Sequence, residues 1–156
     1  MKDIVAEAKT VRQLLSGTKY GLDYYQRDYK WQTKHVDELL RDLSKQFLDD
    51  YEEDHERNAV EGYGHYFLGS IITSPRNGKN FVIDGQQRLT TLTLLLIHLH
   101  NLQRDRNDAV PIDELIFSEK YSRRSFNIDV DERSPVMNAL FNEQSVDVAE
   151  QPEAVR

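Results

Sequence analysis

The chain has 156 residues, 38% of them hydrophobic and 10% aromatic, no cysteine, and a formal net charge of −7. That length fits one domain of ordinary size with a buried core. The missing cysteines exclude disulfides, thiolate metal sites and thiol chemistry, and the negative charge does not suit a stand-alone nucleic-acid binder, whose affinity comes from phosphate neutralisation.

No N-terminal stretch has signal-peptide form, and the densest apolar run, Leu92 to Leu99, is too short to span a bilayer. The expectation is a cytoplasmic protein without a membrane partner. In chain order, Thr10-Val11-Arg12-Gln13 has capping-box form and opens a short helix that Gly17 stops. "KYGLDYYQRDYKW" is aromatic and extended, a strand followed by a turn. Thr33 then caps a long helix whose apolar positions Val36, Leu39, Leu40, Leu43, Phe47, Leu48 and Tyr51 share one face. It runs into "DDYEEDHE", whose plain reading is a solvated helix end, since a metal site needs convergent carboxylates.

"HYFLGSIIT" reads as a buried strand, Asn77-Gly78 as a turn that accepts positive φ, and "NFVID" as the returning strand, so residues 65 to 84 form a β-hairpin. A long helix follows from Gln86 to Arg104. Pro111 opens another from Ile112 to Tyr121, "SFNIDV" is a short strand, and Ser134-Pro135 caps a last helix over Val136 to Phe141. The fold class is therefore α/β (α+β), a small mixed sheet with packed helices, over residues 1–141. Residues 142–156 read as a polar tail or linker.

The informative stretch is the strand-to-helix junction Asp84-Gly85-Gln86-Gln87-Arg88. The first N–H groups of a helix lack internal partners and the helix dipole adds partial positive charge, so the junction suits a phosphate. Gly85 lets backbone approach an anion, Arg88 can fork to phosphate oxygens, and Gln86 and Gln87 offer amides that bind or orient water. Asp84 repels phosphate unless it caps the helix, pairs with Arg88, holds Mg²⁺ or activates water. The plainer alternative is an aspartate cap on a surface helix with solvated neighbours. In "YYQRDYKW", Tyr24, Tyr25, Tyr29 and Trp31 surround Gln26 and Arg27. They read either as core beneath a loop or as a base-stacking surface with Arg27 as a second phosphate ligand. His98 and His100, two apart on one helix, point away from each other and read as packing residues rather than a metal pair.

Taken together, "YQRDYKW", a helix, "YFLGSII" and then "FVIDGQQRLTTL" resemble the N-terminal domain of the GmrSD-type modification-dependent restriction proteins. That domain is similar to the ParB/sulfiredoxin nucleotide-binding fold. The resemblance spans about Thr10 to Phe141 and rests most on Asp84 through Thr91. It implies nucleoside triphosphate binding by Tyr25, Gln26, Arg27, Gly85, Arg88, Thr90 and Thr91, and hydrolysis through Asp84, Gln86, Gln87 and Arg88. It also implies Mg²⁺ with the triphosphate, for which Asp84 is the candidate ligand, and coupling to cleavage of modified DNA by a C-terminal nuclease region or subunit. DNA would be met through the full-length protein. Two features depart from the family: Leu22-Asp23 stands where an Ile-Pro pair is usual, and no HNH-type nuclease motif is present. Sulfiredoxin's own chemistry is excluded, because its thiol has no counterpart here. Three function classes follow: an NTP-hydrolysing domain of a restriction system, a nucleotide- or DNA-binding regulatory module without turnover, and a structural interaction domain.

Overall fold

A computed structural model of the chain describes residues 5–23, 28, 30–120 and 123–151. The chain divides into two compact units, one of residues 30–70 and one built from the segments on either side.

The larger unit begins with α1 (Val11–Leu15). Its capping box forms as expected: Thr10 Oγ1 accepts from the Gln13 amide at 3.2 Å, and Gln13 Oε1 accepts from the Thr10 amide at 2.9 Å. Gly17, at φ +64°, then reverses the chain. β1 (Tyr20–Leu22), β2 (Ile72–Arg76), β3 (Lys79–Asp84) and β6 (Ile128–Asp129) form a mixed sheet in the order β2-β3-β1-β6. β1 runs parallel to both β3 and β6, with Leu22 opposite Val82 and Tyr20 opposite Ile128, while β2 and β3 are antiparallel. The fold is α/β with a small mixed sheet, as expected.

The hairpin differs from its sequence reading in one arm. The turn is Asn77-Gly78 with both residues at positive φ, as expected. The first strand, however, is not a buried run from His65. It is β2, which begins at Ile72, includes Pro75 and is largely exposed. Its outer position explains this: an edge strand tolerates a proline that cannot donate to a ladder.

α3 (Gln86–Gln103) follows β3. The helix expected over Ile112 to Tyr121 is only one turn, α4 (Asp113–Ile116); the chain then becomes β4 (Phe117–Lys120), paired antiparallel with β5 (Arg123–Phe126). Cross-strand packing overrides the local pattern, because Phe117 lies opposite Phe126 with ring centroids 4.7 Å apart. Asn127 carries the chain from β5 to β6. Fully buried, it donates through Nδ2 to the carbonyls of Leu15 (3.0 Å) and Glu114 (3.1 Å), and its own carbonyl accepts from the Tyr20 amide at 2.7 Å. α5 (Ser134–Phe141) starts two residues before the expected Val136, with Arg133 as N-cap. The core joins Leu15, Tyr20, Leu22, Val82, Leu89, Ile128 and Val130 at the sheet. A second cluster of Ile97, Ile116, Phe126 and Met137 lies farther along α3.

The smaller unit is α2 (Thr33–Leu48) followed by a 3₁₀ segment at Arg57–Gly62. Thr33 lies inside α2 rather than capping it. The cap position is Gln32, whose amide donates to His35 Nδ1 at 3.0 Å. Within this unit the Tyr66 hydroxyl donates to Asp42 Oδ2 at 2.9 Å, and the Gly64 amide to Asp50 Oδ2 at 2.6 Å.

Candidate functional site

β3 ends at Asp84, Gly85 turns the chain in the left-handed region at φ +88°, and α3 starts at Gln86. That backbone conformation is one glycine adopts without the steric cost of a Cβ. The first intrahelical bond from the turn is the Leu89 amide to the Gly85 carbonyl at 3.0 Å. The N-cap residue is Gly85, which has no side chain to cap with, so Asp84 is not the N-cap that the plainer sequence reading would have it be. Its carboxylate is exposed at the strand end instead. The helix thus opens on a left-handed glycine, beside an exposed carboxylate.

Topology brings a second segment to the same place. β1 and β3 are parallel and in register, so both end at one edge of the sheet. The chain leaving β1 after Asp23 therefore emerges beside the α3 N-terminus. In doubly wound sheets, ligands bind outside the carboxyl ends of parallel strands. Tyr25, Gln26 and Arg27 lie in this exit segment but outside the described residues. Asp28, which is described, meets α3: Gln87 Nε2 donates to its carbonyl at 2.8 Å. Asp23 pairs with Arg76 Nη1 at 3.0 Å, and Arg76 lies over the Phe81 ring at 5.8 Å.

The remaining residues of the motif divide by burial. Gln86 and Arg88 are half-buried in the first turn. Gln86 Oε1 is enclosed and accepts no hydrogen bond, which leaves an acceptor open to a donor such as water or a ligand hydroxyl. Arg88 already holds a contact within the protein. Thr90 and Thr91 are buried and their hydroxyls are committed inward: Thr91 Oγ1 donates to the Gln87 carbonyl at 2.9 Å, and Thr90 Oγ1 accepts from Arg133 Nη1 at 2.8 Å. They brace the helix start from beneath.

Arg133 is the residue that sequence reasoning missed. It is only 4% exposed, and its guanidinium meets the second turn of α3 from the start of α5. Nothing in "DERSP" distinguishes it from a surface arginine; an arginine just before a Ser-Pro helix start is the only available hint.

Two other groups were candidates. His100 is half-buried, stacks on Phe141 at 4.5 Å and lies 3.6 Å from Asp113 Oδ1, while His98 is exposed. The packing role expected of the pair holds for His100 alone. In the smaller unit, ligand atoms of Glu52, Asp54 and His55 lie within 4.8 Å of one another, all on exposed residues, and His55 Nδ1 is 2.8 Å from the Tyr63 hydroxyl. Among the described residues, no helix is long and apolar enough to cross a membrane.

No curated protein matches the chain. The family model of the GmrSD restriction endonuclease N-terminal domain matches residues 11–153, beyond the boundary at residue 141 drawn from composition. This match takes in α1, the exit segment after β1, the hairpin and the α3 junction, and the chain belongs to the family of GmrSD restriction endonuclease N-terminal domains.

Proposed function

We propose that the start of α3 and the exit segment of β1 form a nucleoside triphosphate site, and that the domain couples triphosphate use to cleavage of modified DNA by a nuclease region outside this chain, in the cytoplasm. The observation that carries the reading is the Gln87–Asp28 hydrogen bond, because it joins the two segments expected to hold the ligand. The first amides of α3 receive phosphate oxygens, and Arg88 and Arg27 add charge-assisted contacts. Gln86, with its open acceptor, positions the attacking water or a ligand hydroxyl. Tyr25 stacks on the base.

The residues fit Mg²⁺ in its usual manner, through one or two carboxylates with phosphate oxygens and water completing the shell. Asp84 would hold it, being exposed at the strand end. Bound there, the ion would neutralise phosphate charge. The chain's own contribution to hydrolysis is to place a water in line with the γ-phosphate, with Asp84 or a glutamine orienting it, and to meet developing negative charge with arginine.

Thermal unfolding with ATP, GTP, CTP or UTP, each with Mg²⁺, tests the site. A ligand that binds only the folded form at a hundred times its Kd adds about 2.7 kcal/mol of stability. Arg88→Ala is expected to weaken triphosphate binding about tenfold or more, the loss of a contact worth roughly 1.5–3 kcal/mol. Absence of any shift with all four nucleotides would overturn the proposal. Binding without turnover would leave a nucleotide-operated switch in place of a hydrolase.

A further inference from the structure

The first two turns of α3 carry three buried threonines, and one of them bonds differently from the others. Thr91 and Thr93 donate to the carbonyls of Gln87 and Leu89, four residues back on the same helix, at 2.9 Å each. The Thr90 hydroxyl accepts from another element: Arg133 Nη1, at the N-cap of α5, lies 2.8 Å from its Oγ1. Thr90 is 3% exposed and Arg133 4%. A guanidinium so far from water stands where its hydrogen bonds hold it.

Thr90 is also where leverage on the ligand junction is greatest. By the helical repeat its amide closes on the Gln86 carbonyl, so displacing Thr90 displaces the turn that carries Gln86 to Arg88. On the other side of the bond, Arg133 is anchored through its amide to the Val130 carbonyl at 3.0 Å, just past β6. Farther along, α5 keeps step with α3. Met137 and Ile97 share a core cluster, Asn101 Nδ2 donates to the Leu140 carbonyl at 2.8 Å, and Arg104 Nη2 donates to the Phe141 carbonyl at 2.8 Å. These contacts advance in the same sense along both helices. The Arg133–Thr90 bond is the one at the end nearest Gly85.

We propose that Arg133 is a positioning residue for the triphosphate site, holding the first turn of α3 through the Thr90 hydroxyl, and that it couples occupancy of that site to the placement of α5. The inference rests on the triphosphate reading. Thr90 then acts from beneath the ligand rather than by touching it. The coupling is reciprocal: ligand at the start of α3 steadies α5, and a change in α5 alters affinity for the ligand.

Hydrogen exchange followed by NMR on the whole chain tests this, using whichever of ATP, GTP, CTP or UTP with Mg²⁺ raises the melting temperature. Two amides report on the two helices: Leu89, which closes on the Gly85 carbonyl at 3.0 Å, and Met137, which closes on the Arg133 carbonyl at 2.9 Å. Saturating nucleotide is expected to slow exchange at both. Thr90→Val keeps the shape and removes the acceptor. It should retain the slowing at Leu89, lose it at Met137, and bind nucleotide about five- to tenfold more weakly. Thr90→Ser, which restores the hydroxyl, should recover both. Arg133→Met should match Thr90→Val, and the double variant should bind no more weakly than either, because the two side chains form one link. Should Arg133→Met fail to fold, the two Thr90 variants carry the test. A merely structural threonine would lower the melting temperature and leave the response at Met137 in place. Slowing at Leu89 without slowing at Met137 in the parent, unchanged affinity in Thr90→Val, or no recovery in Thr90→Ser would each overturn the inference and leave the site standing. No response to any of the four nucleotides would overturn both.

Discussion

α2 and α3 are the two long helices of the chain, and they use their apolar residues in opposite ways. α2 has the cleaner amphipathic pattern yet buries only Leu39. α3 is apolar nearly all round in its middle and buries Leu89, Thr90, Thr91, Leu92, Thr93 and Ile97. The threonines can be buried because their hydroxyls have partners within reach: Thr91 and Thr93 donate to the carbonyls four residues back at 2.9 Å, and Thr90 accepts from Arg133. The difference teaches that periodicity predicts a helix and its inward direction, but not what lies opposite. α3 is oriented by the sheet and α5. α2 retains an apolar stripe beyond what its own unit covers.

The sharpest way to break this comparison is to truncate matching leucines. Leu89 is fully buried in the sheet core, so Leu89→Ala should cost about 2–5 kcal/mol, read as a fall in denaturation midpoint without a change in slope. Leu40→Ala, on the exposed stripe of α2, should change stability by less than about 0.5 kcal/mol. Comparable losses at the two positions would mean that the stripe is covered within this chain.

Legibility in the sequence follows the same division between local and long-range causes. The Thr10 capping box, the Asn77-Gly78 turn and the extent of α3 are specified by neighbouring residues, and the structure has them where they are expected. β4 was hidden because Phe117 acquires its strand character only from Phe126 across the ladder. β2 was misplaced because Pro75 argues against a strand unless the strand is known to be an edge. The strand-to-helix junction at Gly85 could be read from residue type alone. The burial of Thr90 and Thr91 could not, since it depends on Arg133 arriving from 43 residues away.

The helix starts give the next contrast. α3 begins on Gly85 at φ +88°, whereas α2 begins on Gln32 in extended backbone at φ −95°. Gly85→Ala should therefore cost about 1–2 kcal/mol, the penalty of a Cβ in the left-handed region, and should weaken triphosphate binding by crowding the amides. Gln32→Ala places alanine in a conformation that it adopts freely, and its amide can still donate to His35, so a loss below about 0.5 kcal/mol is expected. Chemical denaturation of both variants measures the difference. Equal costs would show that the left-handed turn is not what holds the start of α3.

The smallest expected effect on stability, and the most diagnostic, is at Asp84. If this carboxylate capped α3, Asp84→Ala would cost about 1 kcal/mol and Asp84→Asn almost nothing, because asparagine caps as well as aspartate. In the structure the N-cap residue is Gly85 and Asp84 is exposed, so both variants should melt within about 0.5 kcal/mol of the parent. The carboxylate's role should appear with ligand instead. Without Mg²⁺, Asp84→Asn removes a charge that repels phosphate, and triphosphate affinity should rise. With Mg²⁺ the same change removes the proposed metal ligand, and affinity should fall. Turnover, where the parent protein has it, should drop by roughly 100-fold, the scale of a lost water-positioning group. Calorimetric titration of triphosphate into parent and variant, with and without Mg²⁺, reads the sign directly. Affinity that moves the same way under both conditions would remove Asp84 from the metal site while leaving the amide cradle of Gly85 to Arg88 untouched.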